Sequence, residues 1–499
     1  MSDSSNNAKQ AAWVAISSFC SFLVGIVSPM ILARYFDKSD YGTYKQVIYV
    51  YNTLLFVFTL GLPKAYAYYL PKYASEFSKD IINKITKIFL VLGSLFTLFL
   101  IVFSGIIANI LRNPDLKLAL MLFSPTPFFL LPTLGLDSIY ASFRKTQYLA
   151  LYTIVTKILT ILCIVLPVVL FNGNYLHAII GFDVASLLSC LIALYMKSWP
   201  VREYGSQKAD VTYSDIFKFA IPLFYASIWG MIINSANQFF VSRYYGTEEF
   251  ASFSNGFMAN PIVGMVISAI AAILLPAFSG LDKGKGMSNQ MIQLWKSSVL
   301  MSAKIIFPML IYSTFFSSIV MTCMDGNLYS DSAVFFQIKN IGDLFYIIPF
   351  APILLAIGKT KDYANVHMIV AILIVVLEFL VCKLALPALW IAIVSELCNV
   401  IKIILMMRII IKFDNRTIQD FFPIRDLFMV ILVSSITSII TLLLLRVVDL
   451  NKFTALFVSI LLFVVIYYLI CRLFKLSYKD VVCRLVKIED TNPLMRFIP

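Results

Sequence analysis

Arg34-Tyr-Phe-Asp-Lys-Ser-Asp-Tyr-Gly-Thr-Tyr44 lies between two long apolar runs. A similar stretch, Arg243-Tyr-Tyr-Gly-Thr-Glu-Glu-Phe-Ala-Ser-Phe253, lies between two more, about 210 residues later, which is the spacing of a large duplicated unit. The copies share Arg34/Arg243 and Tyr35/Tyr244, and keep an aromatic at Phe36/Tyr245, Tyr41/Phe250 and Tyr44/Phe253. They also keep an acid at Asp40/Glu249, a small residue at Gly42/Ala251 and a hydroxyl at Thr43/Ser252. A second echo pairs Arg144-Lys-Thr-Gln-Tyr148 with Lys359-Thr-Lys-Asp-Tyr363, each after a Pro-containing apolar run. Two echoes at nearly one offset describe a membrane hairpin used twice in a two-halved chain, an organisation characteristic of secondary transporters. The alternative is a chance likeness between interfacial loops.

Composition sets the class. Of the 499 residues 60% are hydrophobic and 13% are charged, against about 25% charged in soluble domains. The chain therefore reads as an all-α polytopic membrane protein. Its net charge of +13 falls in short gaps between apolar runs, which is the pattern of topology-setting loops and excludes nucleic acid as a partner. The eight cysteines have no paired spacing and the two histidines, His177 and His367, stand apart, so no disulfide framework, metal site or cofactor is expected. The first apolar run is longer than the core of a signal peptide, and Ser2 rather than Gly follows the initiator, so neither a cleaved leader nor a myristoyl anchor is expected.

A ruler of about 20 apolar residues per crossing predicts about fourteen transmembrane helices. Residues 1–10 form an N-terminal segment, 11–205 a six-helix bundle, and 206–412 a second six-helix bundle. Two extra helices follow in 413–475, and 476–499 is a tail. Both echoes run in the same direction with an even number of spans between them, so the bundles are expected to be related by a pseudo-two-fold axis near the membrane normal. Lys and Arg exceed by about threefold on the side of the N-terminus, which predicts both termini in the cytoplasm and 34–44 outside. All outer loops are then short. An integral-membrane glycan polymerase or ligase would need a larger outer domain, and no paired carboxylates, phosphate-cradling Gly loop or Ser/His/Asp set appears in any loop, so the chain is not expected to be an enzyme. Asp282-Lys-Gly-Lys-Gly286 reads as a flexible linker.

Ionisable and polar groups within spans mark candidate function, because lipid does not accept them. Thr153, Thr156, Lys157 and Thr160 recur at helical spacing and place one cation and three hydroxyls on one stripe. Such a face is expected to line a cavity; the alternative is a Lys that snorkels or pairs with Asp137 or Asp183. Ser227, Gly230, Asn234, Asn237 and Gln238 form a neutral polar face that either holds sugar hydroxyls or glues helices together, and Asn52 lies on a weaker stripe of the same kind. Lys339 and Asp343, at i,i+4, are candidates for a coupling site or a neutralising pair, with Lys304 as a further intramembrane charge. Arg34 and Arg243, flanked by aromatics at the membrane boundary, are either substrate contacts or interfacial anchors. Prolines at Pro125, Pro127, Pro132, Pro167, Pro222, Pro349 and Pro352 are expected to interrupt spans.

Leu32-Ala-Arg-Tyr-Phe36 with Asp40-Tyr-Gly-Thr-Tyr44, and Gly61-Leu-Pro-Lys-Ala-Tyr-Ala-Tyr-Tyr-Leu-Pro-Lys-Tyr73, resemble the polysaccharide, or O-antigen, flippases of the multidrug/oligosaccharidyl-lipid/polysaccharide exporter superfamily. The resemblance implies alternating access that moves an undecaprenyl-diphosphate-linked oligosaccharide from the inner to the outer leaflet of a bacterial cytoplasmic membrane, for surface polysaccharide synthesis. It implies the lipid bilayer, glycan polymerase and other polysaccharide assembly proteins as partners. A lysine within about 4 Å of a phosphate attracts it by about 4 kcal/mol at an effective dielectric near 20, before desolvation. A cation-coupled multidrug exporter of the same superfamily is the alternative, with Asp137 and Asp183 as its acids.

Overall fold

The computed structural model describes residues 2–204, 207–279, 287–414 and 416–479. The stretch from Asp282 to Gly286 and most of the expected tail, with Cys483, lie outside them. Every regular element among the described residues is helical. The chain divides into two compact units, residues 1–251 and 252–499.

In the first unit α1 (Ser2–Tyr35) and α2 (Lys38–Thr59) meet at Asp37, whose extended backbone and carboxylate, accepting from the Asp40 N–H at 2.8 Å, cap α2. α3 (Pro63–Lys72) begins on a proline. α4 (Ser78–Ile110) is followed by a crossing broken into α5 (Asp115–Phe123), α6 (Pro125–Leu130) and α7 (Leu136–Ser142). The breaks fall at the expected Pro125 and Pro132 and at Gly135, in the left-handed region with φ +82°. α8 (Thr146–Phe171), α9 (Tyr175–Ser198) and most of α10 (Tyr213–Gly256) complete the unit. Tyr51 packs on Phe96 and Phe123, and Phe123 on Phe182, so an aromatic column joins α2, α4, α5 and α9.

The two copies of the opening motif share a local design. α10 is interrupted at Gly246 (φ 88°), the position that aligns with Asp37, so each copy reads helix, break, helix. Gly42 lies so close to the second copy that a Cβ would sit 2.2 Å from the Thr247 carbonyl oxygen. Gln46 donates to Ser242 at 2.8 Å, and Asn113 donates to both Gln46 and Thr43. These buried amides and hydroxyls satisfy one another where lipid would satisfy none.

The second unit holds α11 (Pro261–Ser279), α12 (Asn289–Phe315), α13 (Ser317–Asp325), α14 (Ser332–Asp343), α15 (Ala351–Ala356), α16 (Thr360–Lys383) and α17 (Leu389–Asp414). After the short α18 (Ile418–Phe421) come α19 (Ile424–Leu445) and α20 (Lys452–Leu473). The second echo marks helix starts in both units, α8 at Thr146 and α16 at Thr360.

Among the described residues 11 helices are long and apolar enough to cross a membrane, or 12 with the pair Tyr213–Tyr225 and Ser227–Gly256, which is bent by 48° just after Pro222. Three of the fourteen expected crossings are not among those 11. The first belongs to the single helix α1, where part of the expected span lies outside the described side chains and Val24–Tyr35 is a shorter apolar stretch. The seventh is the bent pair. The tenth is split into α14 and α15, with Pro349 and Pro352 in the gap and at the restart.

Candidate functional site

α8 carries the stripe expected from the sequence, and the stripe opens onto a cavity. The cavity, about 340 Å³, lies wholly within the first unit, and Thr153, Thr156, Lys157 and Thr160 form one wall. Phe182, Ser186 and Ser189 of α9, Ser21 of α1, Tyr152, and Leu130 and Thr133 from the broken crossing form the others. α8 and α9 approach closely because Gly181 has no side chain; a Cβ there would sit 2.0 Å from the Cys163 carbonyl oxygen. That contact sets the register of the two helices and turns Ser186 and Ser189 toward the threonines.

The electrostatics are unbalanced by design of the sequence. Lys157, half-buried, has no hydrogen-bond or ion-pair partner among the described residues. The pairing with Asp137 or Asp183 left open above is not made. Asp183 accepts from the Thr126 hydroxyl, and Asp137 is exposed in the first turn of α7. The hydroxyls of Thr153, Thr156 and Thr160 donate to the carbonyls of Leu149, Tyr152 and Thr156 at 2.9, 2.8 and 2.8 Å. A lone ammonium therefore faces a cavity rimmed by oxygen atoms.

The other expected site residues are not on this cavity. Arg34 is exposed at the end of α1. Arg243 donates to the Ile110 carbonyl and lies 5.6 Å from the Tyr244 ring. Asn52 and Asn234 are exposed; Asn237 is buried, and its side-chain oxygen accepts from the Gln238 N–H. In the second unit Lys339 pairs with Asp343, as the spacing suggested, and also with Glu396 of α17 at 3.2 Å. The triad ties α14 to α17 and sets one cation between two carboxylates. Lys304 is buried under the Tyr478 ring at 5.7 Å.

Sequence reasoning missed Lys197, which is 3% exposed at the end of α9. Its ammonium donates to the Tyr66 hydroxyl at 2.9 Å and the Leu134 carbonyl at 2.8 Å, and lies 4.7 Å from the Tyr66 ring centre. Gly135 lets that ring lie flat against the backbone. The signal was present in Tyr66, inside the stretch that carries the resemblance, but a lysine at a span end reads as a loop charge. Ser186 and Ser189 were legible only as a two-residue stripe.

The sequence pattern of the family described as "Polysaccharide biosynthesis protein" matches residues 8–282, more than half of the chain and all of the cavity wall. The chain belongs to this family. Its fold is shared with the lipid II flippase MurJ in an inward closed conformation, at 18% identity, with 94% of this chain and 99% of MurJ covered and a TM-score of 0.69. A Vibrio cholerae MATE transporter, VcmN, matches at 13% identity over 84% of this chain and 99% of its own, with a TM-score of 0.58. A MOP superfamily transporter from Pyrococcus furiosus matches at 13% identity over 83% and 96%, with a TM-score of 0.54. No curated protein matches the chain in sequence.

Proposed function

We propose that the chain is a flippase that moves an undecaprenyl-diphosphate-linked oligosaccharide from the inner to the outer leaflet of a bacterial cytoplasmic membrane for surface polysaccharide synthesis. The observation that carries the reading is the unpaired Lys157 on a cavity walled by hydroxyls, inside a membrane protein of a polysaccharide biosynthesis family. An ammonium held without a protein counter-ion costs desolvation energy, which an anionic cargo returns. The fold shared with a lipid II flippase supports transport of a lipid-linked headgroup, and the membrane potential favours outward movement of an anion by about 2.3 kcal/mol per charge per 100 mV. Both termini are cytoplasmic in this reading, the protein acts as a transporter rather than an enzyme, and its partners are the bilayer, the glycan polymerase and other assembly proteins.

Deletion of the gene is expected to abolish one surface glycan and leave lipid-linked repeat units in the cytoplasmic leaflet, measured by mass spectrometry of extracted lipids. The fold shared with MATE transporters and the acid at Asp183 favour drug export as the second reading. Intact surface glycan together with new sensitivity to cationic dyes would establish that reading instead.

A further inference from the structure

We propose that the cavity beside Lys157 receives a carboxylated sugar of the cargo, of the uronic or nonulosonic acid class, and not the diphosphate. The proposal rests on the flippase reading and follows from how the wall's protons are committed. Besides the three threonines of α8, Thr133 donates to the Leu130 carbonyl at 2.7 Å and Ser186 to the Phe182 carbonyl at 2.7 Å. Tyr152 donates to the Ser189 carbonyl at 3.4 Å. A hydroxyl has one proton, and once that proton is given to the helix backbone only lone pairs face the cavity. The wall thus presents acceptor oxygens on most sides, two hydroxyls at Ser21 and Ser189 that are uncommitted among the described residues, and, at Lys157, one cationic group with three N–H donors.

Three ligand chemistries fare differently against such a wall. An ionised diphosphate diester has no O–H to give; it satisfies Lys157 but sets its oxygens against the hydroxyl lone pairs. A neutral sugar satisfies the hydroxyl oxygens and leaves the ammonium without a counter-charge. A carboxylated sugar does both, its carboxylate accepting from Nζ and its ring hydroxyls donating to the threonine and serine oxygens. The cavity's size agrees. At about 340 Å³ it lies at the low end of ligand pockets, about 300 to 1,000 Å³, room for a sugar ring rather than a whole repeat unit.

The test uses the full-length protein in nanodiscs, with glucuronate, glucose and inorganic pyrophosphate as probes in calorimetric titrations. Glucuronate is expected to bind at least about tenfold more tightly than either of the others. Lys157→Ala should bring glucuronate down to the level of glucose, and Lys157→Arg should keep the preference. Thr156→Val should weaken both sugars and leave pyrophosphate unchanged. Pyrophosphate binding best, equal binding of all three, or no saturable binding of glucuronate overturns the proposal. A second measurement separates it from the flippase reading. The lipid-linked glycan that accumulates in the deletion strain should contain a carboxylated sugar; a neutral glycan overturns this proposal alone. Absence of accumulation overturns the flippase reading, and the titrations then decide the chemistry of the cavity by themselves.

Discussion

Lys157 and Lys339 are both intramembrane cations, and the difference between their surroundings separates transport from folding. Lys339 is held by Asp343 and Glu396, so removing it strands two carboxylates among helices. Lys339→Met is expected to lower folded protein by the equivalent of roughly 3 to 5 kcal/mol, with recovery when Asp343→Asn and Glu396→Gln are added. Folded yield by fluorescence-detected size exclusion measures both, and an unchanged yield for the single variant would refute the clamp. Lys157 leaves no stranded partner. Lys157→Ala should therefore appear at normal levels yet lose most flipping, Lys157→Arg should retain much of it, and Lys157→Glu should be worse than Ala because repulsion of an anion replaces attraction. Flipping by Lys157→Ala at the normal rate would make the residue structural only. The helical spacing of the stripe was enough to find it in the sequence, whereas its lack of a partner was not, because Asp183 reads as an available acid until Thr126 is seen to occupy it.

Between helices, the deciding contact is glycine on backbone. Gly181 meets the Cys163 carbonyl, and any larger residue must push α9 off α8 and widen the cavity between them. Gly181→Leu is expected to destabilise by about 1 to 3 kcal/mol or more and to lower both the melting temperature and flipping. Gly230 meets nothing within 4 Å, and Gly230→Ala should be neutral or mildly stabilising on helix propensity. Equal melting temperatures for the two variants would show that the α8–α9 approach is not tight. Helix existence was legible here because hydrophobic runs of membrane length leave little choice, and the breaks at Asp37 and Gly246 were legible because the motif repeats. The pairing of helix faces was not. Lipid-facing and buried positions are equally apolar, so periodicity does not say that Gly181 faces α8 or that Lys197 turns inward to Tyr66.

At the scale of the whole chain, the topology depends on the crossing that departs most from the ruler. In the proposed topology the crossings are even in number, both termini share a side, and the excess of Lys and Arg favours the cytoplasm for it. α14 and α15 are each too short to span about 30 Å alone, at about 1.5 Å per residue, so this segment either crosses in two pieces or enters and returns on one side. The basic residues favour a crossing. Lys359 and Lys361 stand just after α15, whereas the turn before α14 holds Asp325 and Asp331 and no cation, so the two ends differ in charge as the two faces of a membrane do. Broken helices with two prolines survive at membrane depth when their free backbone groups are covered by protein or water. Reporter fusions after Asn327 and after Lys361 are therefore expected to report the outside and the cytoplasm, respectively. Matching reports from Asn327 and Lys361 would make the segment re-entrant. They would also place α16 and everything after it in the opposite sense, put the C-terminus outside, and break the parallel relation between the Arg144 and Lys359 echoes on which the duplicated architecture rests.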